Sequence, residues 1–367
     1  MALIIKFENL DNNTFIQALV FSGMDSTRRA VLKGCAGLSV VGLGSLAGCV
    51  GDLERRTSLE SGYAAFFTLW DWAEQVSGDV LDFENPVDVG ATGHGWEPPG
   101  DLTANIAQTD AFIYLDSPEF SWAQTIAETL ETDYDDVVVI DVMAGLEEHL
   151  LEWDHDDDHH DDDHHDDDHH DDDHHDDDHH DDDHHHDHGT YDPHVWVDPV
   201  IATQIVETIA NGLAEADPDN ADTFESNADA YSEKLASLDQ QFQELVADAP
   251  RDLAVLAGHD SFQYLEARYG FTLHTPVGVS PHDEPSSTDI ADTIDVVNEH
   301  GIDTVLYDVF ESPSLAETIV ENSDATSIAG VSPTEGTTEE WLEQGWGYVE
   351  QMEEINIPAF RDALGTP

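Results

Sequence analysis

Between Asp154 and His188 the chain carries 20 aspartates and 15 histidines and no apolar side chain, arranged largely as Asp-Asp-Asp-His-His repeats. Such a tract has no area to bury against the entropy of ordering, and its crowded like charges oppose a helix. It cannot belong to a core. Any fold must be built from the segments on either side and must tolerate the tract as an inserted, disordered loop. A chain of 367 residues leaves enough sequence outside it for two domains with full hydrophobic cores.

The charge is extreme beyond the tract as well. The chain has 82 acidic and 10 basic residues; removing the tract's 20 aspartates still leaves 62 acidic residues against the same 10. Acidity spread this widely keeps a surface hydrated and soluble, and reads as adaptation to a salt-rich, halophilic setting. A nucleic-acid partner is not expected, because a phosphate-facing surface needs a Lys/Arg footprint.

Three of the basic residues, Arg28, Arg29 and Lys33, stand just before an apolar run from Ala30 to Val50. Ser26 to Lys33 resembles a twin-arginine export signal, and Leu46-Ala47-Gly48-Cys49 resembles a lipoprotein processing box. The run is short and Gly-rich for a membrane span of about 20 residues. Lipidation at Cys49, and an anchored extracytoplasmic body, are therefore expected. Met24 then serves as a start, with residues 1–23 an extension outside the fold. Cys35 falls inside the signal, so the mature body has no thiol for a disulfide, and a metal site there must use nitrogen and oxygen ligands.

From Tyr63 onward, short apolar runs alternate with amphipathic stretches. Ala64 to Leu69 reads as a strand and Trp70 to Val76 as the start of a helix; Ala111 to Leu115 and Val137 to Ile140 read as buried strands. After the tract, Pro199 to Ala216 reads as a helix. Asp219 to Val246 reads as a longer one, with Phe224, Ala228, Tyr231, Leu235, Leu238, Phe242 and Leu245 forming one apolar stripe. A second rhythm follows: strands at Leu253 to Leu256, Phe271 to Val277, Thr304 to Val309 and Ser327 to Val331, and helices at Ser261 to Tyr269, Ser287 to Glu299 and Ser314 to Val320. The pattern predicts an α/β fold of two lobes with mostly parallel sheets and a long rigid helix between them. The expected divisions are 1–49 for extension and signal, 50–62 for a tether and 63–218 for the first lobe. The linking helix occupies 219–248 and the second lobe 249–367.

Outside the tract histidine is scarce. His94 lies in Gly93-His94-Gly95-Trp96-Glu97-Pro98-Pro99, His194 in Asp192-Pro193-His194-Val195-Trp196-Val197-Asp198-Pro199, and His259 in Gly258-His259-Asp260-Ser261-Phe262-Gln263-Tyr264-Leu265. All three occupy loops of the kind that leave strand ends, where open α/β folds bind ligands. These windows resemble the metal-binding stretches of the solute-binding proteins of ABC importers for zinc and manganese. His94, Glu97 and Pro98 match a His-x-x-Glu-Pro loop. Asp192 to Pro199 matches a family signature, and His259, Phe262, Tyr264 and Leu265 match a third site. Ser280 to Ser286 looks like a family turn. The resemblance covers roughly Ala64 to Leu364.

It implies two Rossmann-like lobes with a metal in the cleft between them, held by His94 and His194 from the first lobe and His259 from the second. An acid from Tyr307-Asp308-Val309-Phe310-Glu311-Ser312 would complete the set, Asp308 in preference to Glu311, or a water in that position. Three imidazoles and one oxygen suit Zn²⁺, whereas manganese favours more oxygen. The implied role is capture of Zn²⁺ and delivery to an ABC permease served by a separate ATPase subunit, by a membrane-anchored monomer that is not an enzyme.

The tract supplies weak sites for divalent metal at His159, His160, His164, His165, His169, His170, His174, His175, His179, His180, His184, His185 and His186. It would raise the local zinc concentration, or else serve only as a solvated linker. A hydrolytic zinc centre is the competing class, but the chain has no His-Glu-x-x-His, Gly-x-Ser-x-Gly or P-loop motif. Trp70, Trp72, Trp96 and Trp196 read as packing residues, His149, His274 and His300 as surface groups, and His282 as part of a structural turn.

Overall fold

The computed structural model describes residues 58–152, 191–277 and 285–366. The export signal with Cys49, the Asp/His tract and His282 lie outside the described residues.

The first half comprises β1 (Ser61–Ala64), α1 (Phe67–Ser77), β2 (Asp82–Glu84), α2 (Leu102–Ile106), β3 (Ala111–Tyr114), α3 (Ser121–Asp133) and β4 (Val138–Asp141). Its strands are all parallel in the order β2-β1-β3-β4. Next come α4 (Pro199–Ala216) and α5 (Ala221–Ala247), then β5 (Leu253–Leu256), α6 (Gln263–Tyr269), β6 (Thr272–His274), α7 (Ser287–His300), β7 (Thr304–Asp308), α8 (Ser314–Glu321) and β8 (Ser327–Val331). The second sheet repeats the plan, parallel, in the order β6-β5-β7-β8. In each sheet the order reverses beside the first strand, so loops leaving neighbouring strand ends diverge and open a crevice there. The chain closes with α9 (Glu339–Gln344), α10 (Tyr348–Gln351), a π-helical turn at Met352–Asn356 and α11 (Ile357–Leu364).

Local chemistry sets the helix bounds. Asp198 caps α4 by accepting from Val200 N–H at 2.8 Å, and Pro199 fills the first helical position, where no N–H is needed. The seven residues of the α5 stripe are all buried. They pack α5 against α4 and α1, and Phe242 stacks on Tyr269 at 5.2 Å, tying α5 to α6. One apolar cluster runs through the first sheet, α4, α5 and α11. A smaller one, with Val255, Val297, Val305 and Ile319, packs α7 and α8 on the second sheet.

Two expectations are corrected. Ala64 to Leu69 is not a strand: β1 ends at Ala64 and α1 begins at Phe67. A fully buried apolar run carries no period that separates a strand from a buried helix, and the strand itself lies one step earlier. There Gly62 permits the neighbours' approach, since a Cβ on it would stand 2.5 Å from the Phe83 ring. The folded body also reaches into the segment expected to be tether, where Leu59 is buried and its N–H donates to Asp217 Oδ2 at 3.3 Å.

After β8 the chain returns to the first sheet. The Tyr348 ring meets Trp72 edge-on at 5.1 Å, its N–H donates to Asp71 Oδ2 at 3.0 Å, and its hydroxyl donates to the Trp196 carbonyl at 2.8 Å. Among the described residues no helix is long and apolar enough to cross a membrane.

Candidate metal site

His94 sits in the long loop after β2, His194 in the approach to α4, and His259 in the loop from β5 to α6. Tertiary structure brings the three rings together. Their centroids are 5.0 Å apart for His94 and His194, 5.8 Å for His194 and His259, and 6.3 Å for His94 and His259. His194 is fully buried, and the other two side chains are almost so. Phe120 packs on His94 at 4.8 Å and Trp196 on His194 at 5.2 Å, forming apolar walls.

Each imidazole is held the same way. The Nδ1 of His94 pairs with Glu335 Oε2 at 2.5 Å, that of His194 with Asp192 Oδ1 at 2.6 Å, and that of His259 with Glu311 Oε1 at 3.2 Å. With Nδ1–H donating to a carboxylate, the lone pair resides on Nε2. All three Nε2 atoms are buried and have no hydrogen-bond partner in the protein. A buried, unsatisfied acceptor is costly, and three of them stand in neighbouring rings.

The electrostatics act oppositely on His194 and His259. Burial, followed by the nearby His94 and His259, pulls the His194 pKa well below its ordinary value. His259 is raised: burial opposes its charge, but the Glu311 hydrogen bond and the charges of Asp308, Glu311 and Glu335 outweigh it. Burial pushes Asp192 and Asp308 up to about 7 each. Glu335 is fully buried, which would raise it, yet His94 and His194 hold it below the usual carboxylate range.

Two groups of side chains could hold a metal: His94, His194 and Glu335, and His259, Asp308 and Glu311, with ligand atoms in each group within 4.8 Å of one another. Asp308 and Glu311 thus lie beside His259. Asp308 also accepts from Phe310 N–H at 2.8 Å, and the Glu311 side chain is 41 % exposed. Glu335 has no place in the expected set. It lies in Ser332-Pro333-Thr334-Glu335-Gly336-Thr337, just after β8, and its Oε1 also accepts from His94 N–H at 2.6 Å. Only the Pro and Gly punctuation around an isolated acid hinted at it.

The remaining histidines behave in two ways. His149 and His300 are exposed. His274 is not a surface group: it is half-buried at the end of β6 and its Nε2 meets Thr293 Oγ1 at 2.9 Å. Trp72 and Trp196 are buried, and Trp70 and Trp96 pack partly against the core.

Comparison with known proteins adds a family. Residues 63–363 match the family described as zinc-uptake complex component A, periplasmic. The zinc-binding lipoprotein AdcA of Streptococcus pneumoniae is 30 % identical over 300 residues, which cover 81 % of this chain and 54 % of AdcA. The chain therefore spans about half the length of the AdcA relatives it matches. The high-affinity zinc uptake system protein ZnuA of Bacillus subtilis is 27 % identical over 299 residues, covering 82 % of this chain and 86 % of that protein. The Zn(II)-bound ZnuA-like domain of S. pneumoniae AdcA superposes with a TM-score of 0.64 at 27 % identity, over 84 % of this chain and 99 % of the domain. B. subtilis YcdH, at 23 % identity and a TM-score of 0.65 over 83 % of this chain and 98 % of its own, shares the fold.

Proposed function

This chain belongs to the family of the periplasmic zinc-uptake complex component A, and on that premise we propose that it binds Zn²⁺ in the cleft and delivers it to an ABC importer. The reading rests above all on the three buried, unpartnered Nε2 atoms of His94, His194 and His259. The Nδ1–carboxylate contacts of His194 with Asp192 and of His259 with Glu311 fix the tautomer that presents those two lone pairs to a metal.

The fourth ligand in this reading is Glu335 instead of Asp308, its carboxylate exchanging the His94 Nδ1 contact for the metal, since it stands with His94 and His194 in one group of possible ligands. Glu335 interacts electrostatically with all three imidazoles, whereas His259 is the one imidazole that acts on Asp308. Glu335 is also held below the usual carboxylate range by His94 and His194, while burial pushes Asp308 up to about 7. Three imidazoles and a carboxylate close a tetrahedral set, which suits zinc held as cargo and leaves no open position for hydrolysis. The protein is on this reading a carrier and not an enzyme.

Delivery requires a permease and a separate ATPase subunit, and the extracytoplasmic setting of the family agrees with lipidation at Cys49 after twin-arginine export. The mass of the mature N-terminus tests that anchor; an unprocessed residue 1 would remove it. The Asp/His tract joins the body close to the site. Glu152 and Tyr191 form a bridge, and the Tyr264 hydroxyl accepts from Leu151 N–H at 3.2 Å and donates to the Asp192 carbonyl at 2.8 Å. A tract that captures zinc would release it within a few residues of His194. Deleting 154–188 should leave cleft affinity intact and lower uptake at limiting zinc; unchanged uptake would make the tract a linker. For the cleft itself, competitive titration of Zn²⁺ against Mn²⁺ is decisive, since tighter manganese binding would overturn the assignment.

A further inference from the structure

Thr334, immediately before Glu335, has φ +59° and is the one non-glycine residue with positive φ among the described residues. β-branched residues rarely adopt this left-handed backbone, which persists only where the surroundings over-determine it. Here they do. Thr334 is fully buried, its N–H donates to Ser332 Oγ at 3.0 Å, and its carbonyl accepts from the Thr68 hydroxyl.

The peptides on both sides are held as well. The Ser332 carbonyl accepts from Asn356 Nδ2 at 2.7 Å, and the Pro333 carbonyl accepts from Trp196 Nε1 at 2.7 Å. Beyond Glu335, the Gly336 carbonyl accepts from Gln351 Nε2 at 3.1 Å and the Thr337 carbonyl from Gly90 N–H at 2.8 Å. Asn356 and Gln351 come from the π-helical turn and the residue before it, an irregularity that recurs at functional sites. The first half contributes Thr68 from α1 and Trp196 from the His194 loop. Gly336 is itself in close quarters, since a Cβ there would stand 2.5 Å from the Ala91 carbonyl oxygen.

We propose that Thr68 and the left-handed Thr334 are positioning residues that aim the Glu335 carboxylate at the metal. The inference rests on the reading of Glu335 as a ligand. Returning Thr334 to negative φ would rotate everything after it, Glu335 first, away from His94. The Thr68 hydroxyl opposes that rotation because it grips the carbonyl of the strained residue itself. Five other contacts hold the flanking strap, but Thr68 is the side chain that holds the peptide joining Thr334 to Glu335.

The test compares Thr68→Val, Thr68→Ser, Thr334→Gly and Glu335→Gln by zinc competition titration and by the visible spectrum of the cobalt-loaded protein. Thr68→Val keeps the shape and loses the donor, so zinc affinity should fall about tenfold or more and the cobalt bands should shift. Thr68→Ser keeps the donor and should stay within about threefold of the parent, whereas Thr334→Gly, free to leave positive φ, should lose affinity in the same direction as Thr68→Val. If Thr68→Val does not fold, Thr68→Cys, a weak donor of similar size, should show a smaller loss of the same sign. Parent-like affinity and spectrum in Thr68→Val, with Glu335→Gln severely impaired, would overturn the positioning role and leave Glu335 a ligand. Parent-like binding by Glu335→Gln would remove the ligand reading and this inference together.

Discussion

His94 and Glu335, 241 positions apart, share two contacts: the imidazole Nδ1 lies 2.5 Å from Oε2, and the His94 N–H donates to Oε1 at 2.6 Å. One carboxylate therefore fixes both the backbone and the ring of the first histidine. Gly93 makes the approach possible, because a Cβ there would stand 2.8 Å from the Phe120 ring and 3.3 Å from Glu335 Oε1.

Replacement of the four acids beside the imidazoles should separate their roles. Glu335→Gln is expected to weaken zinc binding roughly 100-fold or more, and Asp308→Asn less than about tenfold. Glu311→Gln loosens only the longer, half-exposed contact to His259 and should cost less than Asp192→Asn, whose contact to His194 is fully buried. Calorimetric or competition titration reads all four; a larger loss in Asp308→Asn than in Glu335→Gln would restore Asp308 as the fourth ligand.

The metal-free protein should lose stability as pH rises from about 4 to 7. Asp192 and Asp308 have folded pKa values raised to about 7 by burial, so across that window the folded state binds more protons than the unfolded state. Stability then falls with rising pH, and the raised His259 continues the trend above 6.5. Glu335, held low, works in the opposite sense below the ordinary carboxylate range, and His194, held well below its ordinary value, opposes the two aspartates up to about 6.5. Zinc reverses the order, because it binds deprotonated ligands. Melting curves of apo and zinc-loaded protein at pH 5 and pH 8 should therefore cross in rank.

Phe242→Ala should destabilise the fold by about 3–5 kcal/mol. The ring is fully buried and joins α5 to Tyr269 at 5.2 Å and to Phe360 at 6.4 Å, so the cavity opens where α5 meets α6 and α11. Urea denaturation followed by tryptophan fluorescence measures the loss.

Salt should raise the melting temperature steadily. A formal net charge of −72 repels itself, and raising salt from 0.1 to 1 M shortens the screening length from about 10 to 3 Å. A salt-independent melting temperature would remove halophilic adaptation as the reason for the acidity.

Much of the fold was legible in sequence. The α5 stripe was read residue by residue because a 3.6-residue period survives in a helix with one wet face. Strands β5 and β8 and helix α4 also carry the bounds their residues suggest. The run Ala64 to Leu69 was not legible, because its residues around the strand–helix junction are buried whatever their secondary structure, and periodicity vanishes with the solvated face.

Local sequence by itself determined which histidines stand apart, His94, His194 and His259, because Gly, Pro and Asp around each dictate loops at strand ends. Asp192, two residues before His194, lies in the same window, but its contact with that imidazole was read from the structure. Only tertiary structure decided that the three rings stand together with each Nε2 buried and unpartnered, and that the carboxylate paired with His94 is Glu335. The reason is range: a contact across 241 residues leaves no local pattern, and Glu335 meets His94 where Thr68, Trp196, Gln351 and Asn356 hold its strap.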